Sequence, residues 1–184
     1  MDIDRTSKTN KSDKSRQADF FDTCQRCKID CCSGAHPPIT LKRRATIQDY
    51  LNKNGIIVEN SFESNTYTFP RETADNHCVF LDRDSKRCWV HLVKPETCVA
   101  GPITFDINAE TGKIEWFLKM KKICPLAGVL YRNQEALNNH LKSAKRELLQ
   151  LVRDLDAESL RAILKSEEPG TFKIGEDSLD KEVL

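Results

Sequence analysis

With 184 residues and a net charge of +1, from 29 lysines and arginines against 28 aspartates and glutamates, the chain is the size of one compact domain. The balanced charge argues against a protein that holds nucleic acid, and no stretch has the roughly 20 apolar residues of a membrane span or the apolar core of a secretory signal. We therefore expect a cytoplasmic protein without a membrane or specific nucleic-acid partner, whose thiols stay reduced because disulfides are rare in that compartment.

The predicted elements begin after a polar amino-terminal tail. Residues 1–17 are rich in Ser, Thr, Lys and Asp and almost free of apolar side chains, so they cannot offset the entropy cost of folding and are expected to be disordered. A helical pattern covers residues 41–51 and ends at Asn54-Gly55, because both residues tolerate a left-handed backbone. Residues 60–76 carry mostly Ser, Asn, Thr and Glu, a composition that indicates a connecting loop.

Two short β-hairpins are predicted next. Residues 78–81 and 88–91 are apolar segments that flank one turn-rich gap, and residues 103–107 and 113–118 flank a second. Because all four segments are short, any sheet that they form is small.

The carboxy-terminal part of the chain has a helical pattern. Apolar residues recur at spacings of four and three, which is typical of an amphipathic helix. The stripe consists of Leu137, Leu141, Ala144, Leu148, Leu151 and Leu155. We expect it to face the core of the same chain, with self-association as the alternative. A shorter helix follows over residues 158–165, and the chain after Pro169-Gly170 has the composition of a frayed acidic tail.

Together these elements predict an α+β fold built around a small cysteine-rich metal-binding domain. The domain covers residues 18–130 and contains the short β-hairpins, and the amphipathic C-terminal helices over residues 131–168 pack on it. Residues 169–184 are expected to form a flexible tail.

The cysteines carry the strongest chemical signal. All eight lie between Cys24 and Cys124, and four fall within nine residues in the spacing C-x2-C-x3-C-C. Such density in a reducing compartment indicates metal binding, because a C-x2-C turn lets two thiolates converge on one ion whereas adjacent cysteines point apart toward separate partners. The predicted ligands are Cys24, Cys27, Cys31, Cys32, Cys78, Cys88, Cys98 and Cys124.

Several arrangements of these ligands are compatible with the sequence. Eight thiolates complete two four-ligand sites, or one site with reactive or structural thiols left over, and the cofactor is an iron–sulfur cluster, first of all of the 4Fe–4S type, or zinc. Inert thiols, disulfides and a redox pair of Cys24 and Cys27 are the alternatives to metal. The histidines are further candidate ligands, in the order His77 and His91, then His36 and His140.

The cysteine pattern resembles the YkgJ family, also described as the CxxCxxCC or zinc/iron-chelating cysteine-cluster family. The elements that carry the resemblance are the run Cys24 to Cys32, the segments Cys78-Val79-Phe80-Leu81 and Cys88-Trp89-Val90-His91, and Lys94-Pro95-Glu96-Thr97-Cys98. It covers about residues 20–130, and the departures are the three residues before the Cys-Cys pair and Lys94 and Val99, where arginine is frequent in the family. The resemblance implies chelation of zinc or iron, often as an iron–sulfur cluster, and some members are domains of lysine N-methylases.

Three hypotheses of function follow. The first is an iron–sulfur protein in electron transfer or in the maturation of another protein, so that its partner is a protein. The second is a zinc-stabilised binding or adaptor module without redox chemistry. The third is an enzyme, for instance with a methyltransferase-like activity by analogy with the lysine N-methylases. Its weakness is that the sequence contains neither a glycine-rich nucleotide loop nor a paired acid and base near a definable pocket. Nothing in the sequence indicates the oligomeric state.

Overall fold

The computed structural model describes residues 23–24, 26–28, 31–165, 168 and 170–179, so the tail predicted over residues 1–17 lies outside the described residues. Within them, helices are combined with small antiparallel sheets, which confirms the α+β class. No helix in this part of the chain is both long and apolar enough to cross a membrane.

The described part of the chain contains these helices and strands. The helices are α1 (Leu41–Lys53), α2 (Glu96–Ala100), α3 (Pro125–Tyr131), α4 (Gln134–Asp154) and α5 (Ala157–Leu164), and a 3-10 turn covers His91–Val93. The strands are β1 (Phe62–Ser64), β2 (Thr68–Pro70), β3 (Leu81–Asp82), β4 (Arg87–Cys88), β5 (Ile103–Asn108), β6 (Lys113–Lys119) and β7 (Thr171–Ser178). Strand β1 pairs with β2, β3 pairs with β4, and β6 lies between β5 and β7 in a three-stranded sheet.

Helix α1 confirms the predicted helix and its end. The side-chain oxygen of Thr40 caps the amino terminus, where it accepts a hydrogen bond from the backbone N–H of Arg43 at 3.0 Å. Gly55 follows the helix at a φ of 63°, a left-handed conformation that glycine adopts at little steric cost. These two signals therefore define the helix at both ends.

The buried face of α1 contributes to the first of the two hydrophobic cores that the described residues form. Ile47 and Leu51 of this face are at most 1% exposed, and they belong to one cluster with Phe80. Cys78 and Cys88 are half-buried and pack against the same cluster. This core therefore supports the backbone on which two of the cysteines lie.

The two predicted hairpins are present, but one is shorter than predicted. Strands β5 and β6 confirm the second hairpin, with six residue pairs in register. Strands β3 and β4 contain only two residues each, and the apolar residues Val79 and Phe80 turn into the first core instead of extending β3. Because this hairpin is short, the residues directly before β3 form a turn and not a strand.

A third hairpin, β1–β2, lies within residues 60–76, where the sequence predicts a connecting loop. Glu63 pairs with Phe69, which is 5% exposed and whose ring centroid lies 5.9 Å from that of Tyr67. The loop prediction is wrong here. The segment is mostly polar, which predicts a loop. Tyr67 and Phe69 nevertheless occupy alternating positions, and this alternation is the pattern of a half-buried strand.

Strand β7 occupies much of the segment for which a flexible tail is predicted, residues 169–184. Its residues Thr171–Ser178 pair with β6, while Phe172 and Ile174 pack against the second core. The charged Lys173 extends toward Glu115 of β6, at a distance of 2.8 Å. The tail prediction is corrected for this strand, because the acidic composition reflects its exposed face and not a lack of structure.

The second core lies between the three-stranded sheet and the carboxy-terminal helices. Trp116 and Leu118 of β6 are fully buried in it, and Ala100 of α2 reaches it from the other side. The leucine stripe of α4 faces this core: Leu137, Ala144, Leu148 and Leu151 are buried in it, and Leu141 and Leu155 pack against it. The prediction that the stripe faces the core of its own chain is confirmed.

Candidate metal centre

The eight cysteines lie in turns, at the ends of elements and on one short helix, and none forms a disulfide bond. The backbone N–H of Cys27 donates to the Cys24 carbonyl at 3.1 Å, which closes a turn in the amino-terminal segment. Cys88 ends β4, Cys98 lies at the centre of α2, and Cys124 precedes the first residue of α3. Disulfides, one of the alternatives to metal, are not formed in this structure.

Backbone pairing brings the first run of cysteines next to Cys78. Ser33 and His77 form an isolated antiparallel bridge, and the N–H of Cys78 donates to the Cys32 carbonyl at 2.9 Å. Two thiols that are far apart in the sequence thereby start from adjacent backbone positions.

The β3–β4 hairpin adds Cys88 to this pair. Leu81 lies opposite Cys88 in the hairpin, and its N–H donates to the Cys78 carbonyl at 3.0 Å. Burial raises the pKa of the Cys78 thiol to about 11, and the neighbouring Cys88 adds to this rise. Because charge–charge repulsion weakens with distance, the coupling indicates that the two side chains are neighbours.

Cys98 completes a set of four neighbouring thiols. Desolvation raises its pKa to about 12, with further contributions from Cys78 and Cys88. The pKa of Cys32 is raised by a hydrogen bond with Cys31 and by burial, and then by the charges of Cys31, Cys78 and Cys98. We call this set group II, which consists of Cys32, Cys78, Cys88 and Cys98.

The other four thiols form group I, which consists of Cys24, Cys27, Cys31 and Cys124. Burial raises the pKa of Cys24, and the charges of Cys31, Cys124 and Cys27 raise it further. Burial likewise raises the pKa of Cys124, with smaller contributions from Cys31 and Cys27. A cavity of about 450 Å³ lined by Thr23, Arg26, Cys27, Lys28 and Pro125 shows that the amino-terminal segment lies against the start of α3.

Cys31 lies between the two groups. Its charge raises the pKa of Cys24 and Cys124 in group I and also that of Cys88 and Cys98 in group II. All eight thiols therefore belong to one continuous region, in which Cys31 interacts with members of both groups.

This region opens to the surface. Cys24, Cys31 and Cys98 are exposed, and the other five cysteines are half-buried. Cys98 is exposed by its accessible area and yet has enough protein atoms around it for desolvation to be the main cause of its raised pKa. The thiols thus line a surface site and not a sealed cavity.

Lys94 supplies a positive charge beside both groups. Its ammonium lowers the pKa of Cys24, Cys88 and Cys98, in each case against a larger rise from burial. The Lys94 carbonyl accepts a hydrogen bond from Nη1 of Arg43 at 3.1 Å, which fixes the backbone at this position. A cation here favours the thiolate form that metal binding requires.

The chemistry of this donor set fits zinc or an iron–sulfur cluster, since both are bound by cysteine thiolates. Among the described residues, no three Cys, His, Asp or Glu side chains are placed to hold one ion in the positions that they occupy here. The structure therefore shows thiols gathered by the backbone, and their side chains must turn toward a shared metal to complete a coordination shell.

The candidate histidines have other neighbours. Nδ1 of His77 lies 2.9 Å from the Asp75 carbonyl oxygen, and Nε2 of His36 lies 3.1 Å from the Glu72 carboxylate. Burial, and then the charge of Lys94, lowers the pKa of His91. His140 lies on α4 against the end of α2. His36, His77 and His140 therefore contact residues of the framework around the thiols.

Two charged residues near the thiols are missing from the predicted site. Glu72 pairs with Cys78 in an isolated bridge and raises its pKa, and its Oε1 is buried without a hydrogen-bond partner among the described atoms. Lys94 is identified in the sequence only as a departure from the resembling family. The position of Lys94 just before Pro95 and Cys98 is the sequence signal that could have identified it. Glu72 has no such signal, because long-range backbone pairing brings it next to Cys78.

Fold and thiols together define a cysteine-cluster metal-binding protein. The profile of the CxxCxxCC family, described as “Putative zinc- or iron-chelating domain”, matches residues 23–125. The chain belongs to this family, and the matched residues include all eight cysteines. No curated protein and no solved structure matches the chain. The resemblance is thus confirmed for the CxxCxxCC family and its metal-chelating class, and the narrower YkgJ assignment stays a prediction.

Proposed function

We propose that the chain binds iron–sulfur clusters through its eight cysteines, in two sites of four thiolates each. The observation that carries this proposal is that backbone pairing gathers the thiols in one region, where the N–H of Cys78 donates to the Cys32 carbonyl and Cys88 lies opposite Leu81 in the next hairpin. We divide the eight thiols into group I and group II, each with four members. Four thiolates are the usual ligand set of a 4Fe–4S cluster. In this proposal Cys24, Cys27, Cys31 and Cys124 hold one cluster, and Cys32, Cys78, Cys88 and Cys98 hold the other.

The open position of the site supports a role that involves another protein. Exposed thiols at Cys24, Cys31 and Cys98 would place a cluster within reach of a docked partner, as electron transfer or transfer of a cluster during protein maturation requires. Lys94 would offset part of the negative charge of the thiolates and the cluster. We propose the reducing cytoplasm as the compartment, because free thiols persist there.

Zinc is the second candidate, and the family description supports it because it includes zinc as well as iron. Four thiolates also form a closed structural zinc site, in which the metal contributes to folding and carries out no redox chemistry. The protein would then be a zinc-stabilised binding or adaptor module with the same two ligand groups.

Metal analysis of the anaerobically purified chain tests the proposal and separates the two candidates. Iron and acid-labile sulfide in near-equal amounts of about eight per chain, with visible absorbance from sulfur-to-iron charge transfer, support two 4Fe–4S clusters. About four of each per chain would indicate a single cluster and contradict the two-site division. Zinc at about two per chain without sulfide supports the adaptor. A chain that takes up neither metal through its thiols overturns both.

A further inference from the structure

Helix α2, which carries Cys98, is too short to hold its own position. It contains five residues, Glu96–Ala100, whereas isolated helices below about 12 residues are marginal in water. Its placement must come from contacts with other elements. Helix α4 provides such contacts at both ends of α2, one directly and one through Arg43.

At the carboxyl end, His140 of α4 binds the last carbonyl groups of α2. Its Nε2 lies 3.0 Å from the Ala100 oxygen and 3.1 Å from the Gly101 oxygen. Because a carbonyl oxygen only accepts, this nitrogen must carry a hydrogen and donate it. The final carbonyls of a helix lack donors within the helix, so His140 satisfies groups that would otherwise need water.

At the amino end, Arg43 connects α2 to α4. Its Nη1 donates to the Lys94 carbonyl at 3.1 Å, and its Nε lies 3.7 Å from Oε1 of Glu96. Its Nη2 forms an ion pair with the Glu147 carboxylate of α4. One guanidinium therefore joins the first residue of α2, the residue before Pro95, and the long helix.

Because Glu96, Arg43 and Glu147 are largely buried, removing any one of these charges should weaken the connection between α2 and α4. Glu96 is 1% exposed, and its Oε1 also accepts a hydrogen bond from the Thr40 hydroxyl at 2.7 Å. The side chains of Arg43 and Glu147 are 20% and 12% exposed. A buried carboxylate is tolerated only when it is paired, so removing one partner leaves a charge that the surroundings cannot satisfy.

We infer that α4 is part of the metal centre as a positioning element. His140 and Glu147, the latter through Arg43, hold α2 so that Cys98 faces the other thiols of group II. Helix α4 begins at Gln134, beyond the residues 23–125 that match the family, so the ligand framework of this chain extends past its family domain. The inference rests on the proposed function, because Cys98 is a metal ligand only in that proposal.

The experiment uses the full chain, stripped of metal and titrated anaerobically with Co²⁺, whose thiolate charge-transfer bands report binding at cysteines. Glu147→Gln and His140→Ala are compared with Arg146→Gln. Arg146 is a matched control because it pairs with the same Glu147 carboxylate, at 3.1 Å, from a 74% exposed position on the outside of α4. His140→Gln keeps a side-chain donor and serves as the rescue variant.

We expect Glu147→Gln and His140→Ala each to weaken Co²⁺ binding at the group II site by about 10- to 100-fold, the range for lost partners that orient a metal ligand. In the same two variants, Co²⁺ binding at the group I site should stay close to that of wild type. Arg146→Gln and His140→Gln should bind Co²⁺ at both sites about as tightly as wild type. Equal weakening at both sites would indicate general destabilisation and would overturn the positioning role.

Hydrogen exchange of the metal-free chain tests the positioning of α2 independently of metal. Glu147→Gln and His140→Ala are expected to speed exchange of the amides of α2, while Arg146→Gln leaves them unchanged. Unchanged α2 exchange in the first two variants overturns the inference. If the wild-type chain binds no Co²⁺ at its thiols, the proposed function fails, and the α2 exchange still shows whether α4 holds this helix.

Discussion

Cys31 and Cys32 are adjacent in the chain, and their sets of neighbours overlap only in part. The charge of Cys31 raises the pKa of Cys24 and Cys124 and also that of Cys88 and Cys98. The pKa of Cys32 is raised by Cys31 itself and then by Cys78 and Cys98. Adjacent side chains point apart and usually serve separate metals, so we propose that the eight thiolates divide into two sites at this pair.

Serine substitutions test this division. Cys98→Ser removes a thiolate from group II and Cys124→Ser removes one from group I, so each is expected to lower the bound metal by about half, because a four-ligand site that loses one thiolate binds its metal weakly. Elemental analysis of the purified variants measures the loss, and His77→Ala, which alters a residue beside Asp75, should keep the full amount. Loss of all metal in either serine variant would contradict two separate sites and indicate a single shared centre.

Asp177 gives β7 a pH-dependent attachment. Its carboxylate pairs with Lys145 at 2.7 Å and accepts a hydrogen bond from the Trp116 indole at 2.7 Å, and these two contacts lower its pKa below the ordinary value of 3.8. A carboxyl whose pKa is lowered by folding stabilises the fold above its unfolded pKa, and this contribution is lost as the pH falls through the folded value.

Asp177→Asn is therefore expected to lower the free energy of unfolding at pH 7 by about 1 kcal/mol, a value reduced for the 45% exposure of the side chain. The difference from wild type should shrink below about pH 3.8, where the unfolded carboxyl is protonated. Urea unfolding at neutral and acidic pH measures it, with Asp49→Asn on the exposed face of α1 as the control. A difference that does not change with pH would show that the carboxylate charge has no part in it.

At the scale of elements, the sequence predicts α1, α4 and the β5–β6 hairpin because their signals are local. The helix cap at Thr40 and the leucine spacing of α4 are each recognisable within a short stretch of the sequence. Strand β7 cannot be found in this way, since Phe172 and Ile174 become core residues only when β6 lies beside them. The same limit applies to the site: all eight thiols are predicted, but the contact of Cys32 with Cys78 depends on long-range backbone pairing.

The leucine stripe of α4 yields a stability prediction. Leu148 is 1% exposed in the second core, so Leu148→Ala is expected to cost about 2–5 kcal/mol of unfolding free energy through lost burial and a residual cavity. Urea unfolding measures the cost, and Lys142→Ala on the exposed face of α4 should change it by less than about 0.5 kcal/mol.

Sedimentation of the Leu148→Ala variant addresses the self-association alternative. Because the stripe is filled by residues of its own chain, the assembly state should be the same in the variant and in wild type. Dissociation of an oligomer with little loss of stability would show that the stripe is an interface between chains.

For the whole molecule, the two cores have different relations to the thiols. The first core, with Ile47, Leu51 and Phe80, packs directly against Cys78 and Cys88. The second core is built from the three-stranded sheet and the carboxy-terminal helices, and Cys124 is its cysteine contact. Metal bound at the thiols should therefore stabilise the amino-terminal part of the fold more than the rest, because the binding free energy adds to folding where the ligands lie.

Removal of metal by a chelator tests this asymmetry. Hydrogen exchange is expected to rise in residues 31–100, while β6 and α4 keep most of their protection, since their core is buried without help from metal. An equal rise across both cores would mean that the metal stabilises the molecule as one cooperative unit.

We propose that cysteine thiolates are the only protein ligands of the metal, four to each site. X-ray absorption at the edge of the metal found in the anaerobically purified chain tests it most directly. We predict a first shell of sulfur at about 2.3 Å, with no contribution from nitrogen or oxygen ligands. A first shell that contains nitrogen or oxygen would contradict an all-thiolate site, because a histidine or carboxylate would then replace one of the eight thiolates as a ligand.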